Sequence, residues 1–451
     1  MNIIILAAGR STRMRSHKPK VLQPLAGVPI ISHIVETVQT IGAHRVVIVC
    51  GKNKKDLQSL VGKDSILWAE QDEPTGTGSA ALIGLNLIDN DDVCLILCAD
   101  MPLVSAPTLQ KTVNFHNQKK ASLTLVTESL SDPSHYGRII RDKNNKIIDI
   151  IEEKDANLEE KKINEVNCGI YCSGTTMLRR WLTSLEAHNR QGEYYLTDIV
   201  RKASLEKVAV ESISPENPYE ILGINDAKQL EQVERRLQKN RAEHLMAHGT
   251  RLADSSRIDI RGVLKCDEDV FIDINCVFVG KVHLGKNVTV GPNCYIRDST
   301  IQDNSEILPN SIIEGSTVGM NSSIGPFARI RPCTNLQHHT KIGNFVEVKN
   351  SSIGDGCKIN HLSYIGDATI GTQVLVGAGT ITCNFDGHKK NPTHIGNDSF
   401  IGSGTQLIAP ISIGSNATIG AGSTITKNVP NQSIATSRIH QKVISKRKIK
   451  S

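Results

Sequence analysis

Aromatic side chains are scarce in this 451-residue chain, and several common sequence signals are missing. Phe, Trp and Tyr make up 4% of the residues, the eleven cysteines form no Cys-x-x-Cys pair, and no apolar run is long enough to span a membrane. The first residues also lack the basic segment and the long apolar core of a secretory signal. We therefore expect neither zinc nor disulfides, and free thiols favour a cytoplasmic protein without membrane contact.

Positive charge is concentrated at the C terminus of a chain whose net charge is +6. The last ten residues contain Lys442, Lys446, Arg447, Lys448 and Lys450. No aromatic residues lie between them to stack on bases, so we expect no nucleic-acid partner. Two interpretations of this tail stay open: a solvated, frayed end, or a segment that attracts an anionic ligand.

The first half of the chain alternates short apolar runs with helical patterns. Ile3–Ala8, Arg45–Val49 and Val93–Leu97 are typical of buried parallel strands, and Ile30–Ile41 has its apolar residues at helical spacing. This alternation predicts a Rossmann-like, doubly wound α/β domain over residues 1–227. Ligands of such sheets bind beyond the carboxyl ends of the strands.

A charged segment with one apolar face follows this region. Leu230, Val233, Leu237 and Leu245 share a broad helical face between Asp226, which can cap the start, and Gly249, which can end the helix. The pattern predicts a single connecting helix. We assign residues 228–248 to this linker helix.

The remaining residues, 249–451, contain a hexapeptide repeat. Aliphatic residues recur every six positions with occasional steps of five, as in Leu284, Val290 and Ile296, and a glycine often follows, as in Ile342-Gly343. A period of six fits no helix, but it fits a solenoid with three short strands per coil and glycines at tight corners. The repeat predicts a left-handed parallel β-helix.

One break interrupts the repeat between Val376 and Ile395. An insertion into a solenoid has to loop outwards, and such loops often bind ligands. A loop that is merely tolerated is the alternative interpretation.

A small-residue motif follows the first predicted strand. Leu6-Ala-Ala-Gly9 lets the backbone approach a nucleotide closely, and Arg13 and Lys20 can neutralise a triphosphate. The segment is no P-loop, because no Gly-Lys-Ser/Thr follows at the required spacing. With Arg13 and Lys20 it resembles the nucleotide-sugar pyrophosphorylases. Over nearly its whole length, the chain resembles the bifunctional uridylyltransferase/acetyltransferases that make UDP-N-acetylglucosamine.

The resemblance implies a UTP and sugar site in the first domain, with Arg13 and Lys20 as catalytic residues. Asp100, after the strand Val93–Leu97, and Asn225 match the ligands of Mg²⁺. Tyr136-Gly137-Arg138 matches the start of the sugar-binding segment. The implied contacts with UTP or the UDP-sugar are Leu6, Ala7, Ala8, Gly9, Lys20, Gln71, Gly76, Thr77, Cys98, Ala99, Asp100, Gly137, Glu152, Asn167 and Asn225.

The resemblance also implies an acetyltransferase site on the β-helix, with acetyl-CoA as co-substrate. His361 matches the general base, which would take a proton from the amine of glucosamine 1-phosphate as it attacks the thioester. Implied contacts with glucosamine 1-phosphate are Arg331, Lys349, Tyr364, Leu375 and Lys390. Implied contacts with acetyl-CoA are Ala378, Asn384, Phe385, Ser403, Ala421 and Arg438. Acetylation would come first, and uridylylation with release of pyrophosphate second.

The chain departs from the family pattern at several positions within these sites. The departures are Ser11, Ala99 and Cys168 in the first domain and Leu375, Phe385 and Gly404 on the β-helix. Leu375 removes an amide that contacts the sugar phosphate in the family, and Phe385 lacks the usual tyrosine hydroxyl.

Three functions therefore stand side by side. The first is the bifunctional enzyme, for which the family implies a homotrimer. The second is a nucleotidyltransferase whose β-helix only trimerises or regulates. Leu375 and Phe385 favour this interpretation, whereas His361, Tyr364 and the loop with Asn384 and Lys390 argue against it. The third is a non-catalytic scaffold, against which Arg13, Lys20 and Asp100 argue.

Overall fold

The computed structural model describes residues 1–9, 12–62, 65–438 and 441–444. The chain forms two compact units, Met1–Leu237 and Gln238–Ser451. Ser11 and the basic residues from Lys446 onwards lie outside the described residues.

The first unit is an α/β domain. Its strands are β1 (Asn2–Ala7), β2 (Pro24–Leu25), β3 (Val28–Pro29), β4 (Arg45–Cys50), β5 (Ile66–Glu70), β6 (Val93–Cys98), β7 (Leu123–Ser129), β8 (Arg138–Arg141), β9 (Ile147–Ile151), β10 (Glu165–Gly174) and β11 (Val210–Ile213). Its helices are α1 (Ile30–Thr40), α2 (Lys54–Val61), α3 (Thr77–Leu85), α4 (Ala106–Lys119), α5 (Thr175–Thr183) and α6 (Asp198–Leu205), and α7 (Ala227–Ala247) continues into the second unit.

The predicted Rossmann-like sheet is confirmed, with both faces covered. The strand order is β11-β7-β10-β6-β1-β4-β5, and β1 lies parallel to both β4 and β6. Along β1, Ile3 and Ile5 belong to one core and Ile4 to another, and all three are fully buried. Alternate side chains of a strand point to opposite faces, so helices on each side account for the continuous apolar run.

The sheet also contains antiparallel strands that the sequence pattern did not predict. β10 pairs antiparallel with β6 and β7, and the hairpin β8–β9 joins it along its edge. The carboxyl ends of β1, β4, β5 and β6 lie at one edge of the sheet, because these strands are mutually parallel. The small-residue motif, Gln71 and Asp100 all follow these ends.

The helix α7 occupies the segment with the apolar face. Asp226 accepts a hydrogen bond from the backbone N–H of Gln229 at 2.8 Å, which is the geometry of an N-terminal cap. At the other end, Gly249 has a φ of 93°, a conformation that glycine adopts without strain. The boundary between the compact units falls inside α7, after Leu237, rather than at either of its ends.

The second unit is a parallel β-helix of many short strands. They are β12 (Arg251–Leu252), β13 (Ile258–Cys266), β14 (Phe271–Ile272), β15 (Cys276–Leu284), β16 (Thr289–Val290), β17 (Tyr295–Arg297), β18 (Thr300–Ile301), β19 (Glu306–Ile307), β20 (Ile312–Glu314), β21 (Ser316–Val318), β22 (Ser323–Ile324), β23 (Arg329–Ile330), β24 (Thr334–Leu336), β25 (Lys341–Asn344), β26 (Glu347–Lys349), β27 (Ser352–Ile353), β28 (Lys358–His361), β29 (Tyr364–Gly366), β30 (Ala368–Ile370), β31 (Leu375–Val376), β32 (Ile381–Cys383), β33 (Thr393–Ile395), β34 (Phe400–Ile401), β35 (Gln406–Ile408), β36 (Ile411–Ile413), β37 (Thr418–Ile419), β38 (Thr424–Ile425) and β39 (Ile434–Ala435).

The six-residue period places one aliphatic side chain of each short strand in the core. Ile307 pairs in parallel with Ile324, and Ile324 pairs with Ile342 on the next coil, all fully buried. Burial of a side chain of this size stabilises the fold by roughly 1.5–3 kcal/mol. The solenoid prediction is thereby confirmed: three strands form each coil, and the coils stack in register.

The break in the repeat contains less loop than the sequence suggested. Ile370 pairs with Ile395, 25 residues on, whereas Ile353 pairs with Ile370, 17 residues on. The strand β32 within the break stays in the coil. Residues 384–392 project from the coil as a loop, and an antiparallel bridge between Phe385 and Lys390 closes this loop.

Candidate active sites

A cleft of about 660 Å³ opens at the carboxyl ends of the parallel strands in the first unit. Eleven of the residues proposed for the uridylyltransferase site line it: Leu6, Ala7, Ala8, Gly9, Arg13, Lys20, Gln71, Gly76, Thr77, Cys98 and Asp100. They come from three segments that are distant in sequence, residues 6–20, 71–77 and 98–100. The parallel sheet brings these segments together, as the positions of the motifs after strand ends predict.

Two oxygen-bearing side chains converge on a lysine in this cleft. The ammonium group of Lys20 lies 2.6 Å from Oδ2 of Asp100 and 3.2 Å from Oδ1 of Asn225. Arg13 donates a hydrogen bond to the same Oδ1 of Asn225 at 3.0 Å. Asn225 thus lies beside the cleft, and a carboxylate, an amide oxygen and two cations form one cluster.

The loop after β5 closes the cleft through tight packing. Gly76 has a φ of 125°, and a Cβ atom there would lie 2.4 Å from the carbonyl oxygen of Tyr194, so only glycine fits. Gln71, which is 4% exposed, donates to the carbonyl of Gly76 at 3.2 Å. The hydroxyl of Thr77 accepts from the N–H of Leu196 at 3.0 Å. These contacts within the protein hold the loop in place.

Ala99 and Cys98 differ in their relation to the cleft. Ala99 is 1% exposed, and its N–H donates to the carbonyl of Leu6 at 3.0 Å, so it belongs to the sheet rather than to the cleft lining. Cys98 reaches the lining, but burial raises the pKa of its thiol to about 12. A thiol with such a pKa is neutral at physiological pH and packs as an apolar side chain.

Three residues proposed for sugar binding meet where β8, β9 and β10 are in register. The N–H of Asn167 donates to the carbonyl of Gly137 at 2.9 Å, and a Cβ at Gly137 would lie 3.6 Å from Oε1 of Glu152. Burial raises the pKa of Glu152, opposed by a hydrogen bond from Thr197 at 3.3 Å. Burial also raises the pKa of the Cys168 thiol well above its ordinary value, and this side chain is 1% exposed.

Arg138, which belongs to the same motif, lies beneath this site. It is 2% exposed and pairs with Glu153 at 2.6 Å. Lys154, Gln191 and Glu193 also line the cleft, although no motif or pattern marks them. Gln191 and Glu193 belong to a loop that reaches the cleft only through tertiary packing, and Lys154 donates a hydrogen bond to Gln191.

On the β-helix, several of the proposed glucosamine 1-phosphate contacts share the outer face of one sheet. Glu347 pairs in register with Tyr364, and Arg331 forms an ion pair with Glu347 at 2.8 Å. Asn384 from the loop donates hydrogen bonds to Tyr364 at 3.4 Å and to Asp367.

Two lysines face each other within this group. Proximity to Lys349 lowers the pKa of Lys390, because two adjacent cations disfavour each other. Asp367 moderates this repulsion, and its own pKa is lowered by hydrogen bonds from Asn350 and Asn384, with burial opposing them. A lysine on the coil and an adjacent lysine on the loop, incompletely neutralised, suit a phosphate group.

The proposed base and several acetyl-CoA contacts occupy a corner of the solenoid. His361 is exposed at the end of β28. Gly404, which follows Ser403, donates its N–H to the carbonyl of Ala378 at 2.7 Å, and Gly422, which follows Ala421, donates its N–H to the carbonyl of Ser403 at 2.7 Å. Arg438 follows beside Gly420. The corner thus presents a row of small residues from successive coils.

Leu375 stands apart from the other proposed acceptor contacts. It lies on β31 in the 11-stranded sheet, in register with Phe400, whereas Arg331, Lys349 and Tyr364 belong to the 17-stranded sheet or its edge. Leu375 is 43% exposed and Phe400 46% exposed. Within one chain, the structure does not bring Leu375 to the paired lysines. Phe385, 61% exposed, projects from the loop.

Models of known protein families match segments in both units. The MobA-like NTP transferase domain matches residues 3–163, the GMPPB C-terminal domain residues 260–339, and the six-repeat bacterial transferase hexapeptide residues 392–427. A solved UDP-glucose pyrophosphorylase complexed with UDP-glucose aligns with 53% of this chain and 99% of its own, at 20% identity and a TM-score of 0.45. No helix within the described ranges is long and apolar enough to cross a membrane.

Curated relatives match over both units. The Bifunctional protein GlmU of Ralstonia nicotianae is 47% identical over 99% of this chain and 97% of its own length. That of Cupriavidus pinatubonensis is 46% identical over 98% of this chain and 97% of its own length. Membership in a nucleotidyltransferase family also suggests a requirement for a divalent metal. The chain belongs to the GlmU family of bifunctional enzymes of UDP-N-acetylglucosamine synthesis, which unite uridylyltransferase and acetyltransferase activities.

Proposed function

We propose that the cleft of the first unit binds UTP and N-acetylglucosamine 1-phosphate and joins them to UDP-N-acetylglucosamine. The observation that carries this proposal is the cluster of Arg13, Lys20, Asp100 and Asn225 at the mouth of a glycine-lined cleft. The backbone around Ala8 and Gly9 allows close approach of phosphates, and the two cations neutralise them.

The transfer itself needs little covalent help from the protein. A phosphate oxygen of the sugar phosphate attacks the α-phosphorus of UTP, the bond to the β-phosphate oxygen breaks, and pyrophosphate leaves. Arg13 and Lys20 would stabilise the charge that develops on these oxygens, and the rigid loop of Gly76 would hold the base. Gly137, Glu152 and Asn167 would position the sugar.

The residues present also fit a bound Mg²⁺ ion. The carboxylate of Asp100 and the amide oxygen of Asn225 already receive one cation, the ammonium group of Lys20, and oxygen ligands are those that Mg²⁺ prefers. We propose that Asp100 and Asn225 would hold Mg²⁺, which when bound supplies further neutralisation of the triphosphate.

We propose that the β-helix acetylates glucosamine 1-phosphate before the sugar reaches the first unit. The amine nitrogen of glucosamine 1-phosphate would attack the thioester carbonyl carbon of acetyl-CoA while His361 takes a proton from this amine. The CoA thiolate would then leave. Lys349, Lys390 and Arg331 would hold the phosphate. The corner formed by Ala378, Ser403 and Ala421 would accept CoA, with Asn384, Phe385 and Arg438 beside it.

The alternative in which the β-helix is non-catalytic is not favoured, because bifunctional relatives match over nearly the whole chain.

Hexapeptide-repeat domains of this type are typical of trimers, and we propose a homotrimer. Leu375 lies away from the paired lysines of its own chain, which suits a position facing another subunit.

Two single substitutions test the assignment of one activity to each unit. Asp100→Ala removes a proposed ligand of the Mg²⁺ ion that neutralises the triphosphate, so it should abolish pyrophosphate release from UTP while sparing acetyl transfer. His361→Ala should do the reverse, with acetyl transfer reduced by about 10²–10⁴-fold, the usual contribution of a general base. Both activities should be measured on each variant, with circular dichroism as a check of folding. If either substitution in a folded protein removes both activities, the two-site assignment is wrong.

A further inference from the structure

The backbone of His361 is held firmly, although its side chain is exposed. The carbonyl of His361 accepts hydrogen bonds from the hydroxyl of Ser363 at 2.9 Å and from the N–H of Gly379 at 3.4 Å. The chain then turns through Leu362, whose φ is 49°. These contacts fix where the imidazole is presented, but they leave its ring rotation and its tautomer undetermined.

A side chain of the preceding coil supplies the missing constraint. Nδ1 of His361 lies 2.7 Å from Oδ1 of Asn344. Asn344 and His361 stand in register on the parallel strands β25 and β28, so the rigid stacking of the coils sets this distance. Within the described part of the chain, we find no hydrogen-bond partner for Nε2 of His361.

This contact has a direct chemical consequence. An amide oxygen accepts hydrogen bonds and cannot donate them, so Nδ1 has to carry the hydrogen in the neutral ring. The lone pair is then on Nε2, the nitrogen left open towards a substrate. A histidine in the opposite tautomer would present an N–H at this position and could not accept a proton there.

We propose that Asn344 is the positioning residue of the acetyl transfer: it selects the tautomer of His361 that leaves Nε2 free as the base. This proposal rests on the proposed role of His361 as the general base. Asn344 itself need touch neither substrate, and it acts through the imidazole that it holds.

The neighbouring strands contain few groups that would obscure a test by pH. On β25 and β28 the charged side chains are Lys341 and Lys358, each three residues before the paired positions, and β31 on the other side consists of Leu375 and Val376. Around the corner lie Tyr364, Asp367, Lys349 and Lys390. All of these groups stay the same in the variants below.

Substitution of Asn344 by two residues separates orientation from packing. Asn344→Ala removes the acceptor, so kcat for acetyl transfer should fall about tenfold or more, short of the 10²–10⁴-fold loss from removing a general base, and the KM values should change little. Asn344→Asp retains an acceptor and adds a negative charge that favours the imidazolium ion. It should restore much of kcat and move the acidic limb of the kcat/KM profile to higher pH by about one unit.

Controls keep this result interpretable. Uridylyl transfer measured on the same samples should be unchanged and reports on folding of the chain. Asn335→Ala, at an exposed asparagine on the strand β24, is the matched control and should leave both activities as they are. Wild-type kcat and pH profile in both Asn344 variants, with acetyl transfer lost in His361→Ala, would overturn the positioning role alone. Unchanged acetyl transfer in His361→Ala would instead contradict the proposed function.

Discussion

Arg138 shows how a buried charged side chain can support the proposed sugar site. Its guanidinium group donates to the carbonyl of Tyr136 and pairs with Glu153 at 2.6 Å. Tyr136 precedes Gly137, and Glu153 follows Glu152, so the buried arginine ties together the two segments that carry proposed sugar contacts. Its backbone also pairs in register with Val166, the neighbour of Asn167.

Removal of Arg138 should therefore damage both stability and sugar binding. In Arg138→Met the carboxylate of Glu153 loses its closer partner and keeps only Lys161 at 3.8 Å, and we expect a loss of roughly 1–3 kcal/mol in the free energy of unfolding of the first unit. KM for N-acetylglucosamine 1-phosphate should rise several-fold while KM for UTP changes less. Urea unfolding and steady-state kinetics of uridylyl transfer measure the two effects.

Arg141→Met provides a matched control at the other end of β8. Arg141 pairs with Glu165 at 2.6 Å but is 26% exposed, so its removal should cost less and should leave KM for the sugar phosphate close to the wild-type value. Equal increases of this KM in the two variants would show that Arg138 has no particular relation to the sugar site.

Residue roles were predictable from sequence only where a motif marks them. Arg13, Lys20 and Asp100 follow strand ends or adjoin a glycine motif, and the structure brings them together. Arg138 was placed in the sugar motif, but its burial depends on the pairing of three strands, which local spacing does not encode. Gln191 lies in a loop without any repeat or motif, so no signal in the sequence could have found it.

At the scale of elements, the loop on the β-helix is organised by a single acid. Asp386 accepts hydrogen bonds from the N–H groups of His388 at 2.9 Å and Lys389 at 2.8 Å, and from the side chain of Asn391 at 2.8 Å. These bonds lower its pKa to about 2. They turn the chain back so that Lys390 bridges to Phe385.

Loss of this acid should impair acetyl transfer alone. Asp386→Ala should raise KM for glucosamine 1-phosphate and for acetyl-CoA, because the loop carries the proposed contacts Lys390 and Phe385. Because the pKa of Asp386 is lowered, its ionised carboxylate stabilises the loop fully at any pH above the ordinary pKa of 3.8. This stabilisation is lost only as the pH falls through about 2. The wild-type loop should thus add no pH dependence between pH 5 and 8, which KM measured across that range will check.

The control for this prediction is His388→Ala in the same loop. Only the backbone N–H of His388 bonds to Asp386, so this variant should retain wild-type KM values. Asp386→Ala with unchanged KM values for both substrates would show that the loop takes no part in binding.

Elements that belong to a repeated pattern were predictable, and isolated ones were not. The six-residue period predicts the coils because each aliphatic residue must enter one narrow core, as Ile307 and Ile324 do. The strand β32 was hidden inside the break because its three residues are too few to show a period. The hairpin β8–β9 was not predicted for a different reason: its two strands lie outside the strand–helix alternation that marks the parallel sheet.

At the scale of the whole molecule, the two compact units carry proposed sites of different chemistry. The first unit gathers cations and oxygen ligands at the edge of a sheet, and the second presents a histidine at a solenoid corner and paired lysines on the adjoining face. The sequence predicted both folds because each has its own periodicity. The domain boundaries at 227 and 248 stay predictions, and the compact units divide within α7.

The central claim is that the β-helix contains an active site of its own for acetyl transfer. An acetyl-transfer assay without UTP tests this claim most directly. The full-length chain would be given acetyl-CoA and glucosamine 1-phosphate without UTP, and free CoA thiol would be followed by its reaction with a chromogenic disulfide, with His361→Ala in parallel. We predict thiol release that depends on glucosamine 1-phosphate and is lost in His361→Ala. No thiol release from the wild-type chain, while it still forms UDP-N-acetylglucosamine from UTP and N-acetylglucosamine 1-phosphate, would contradict the account.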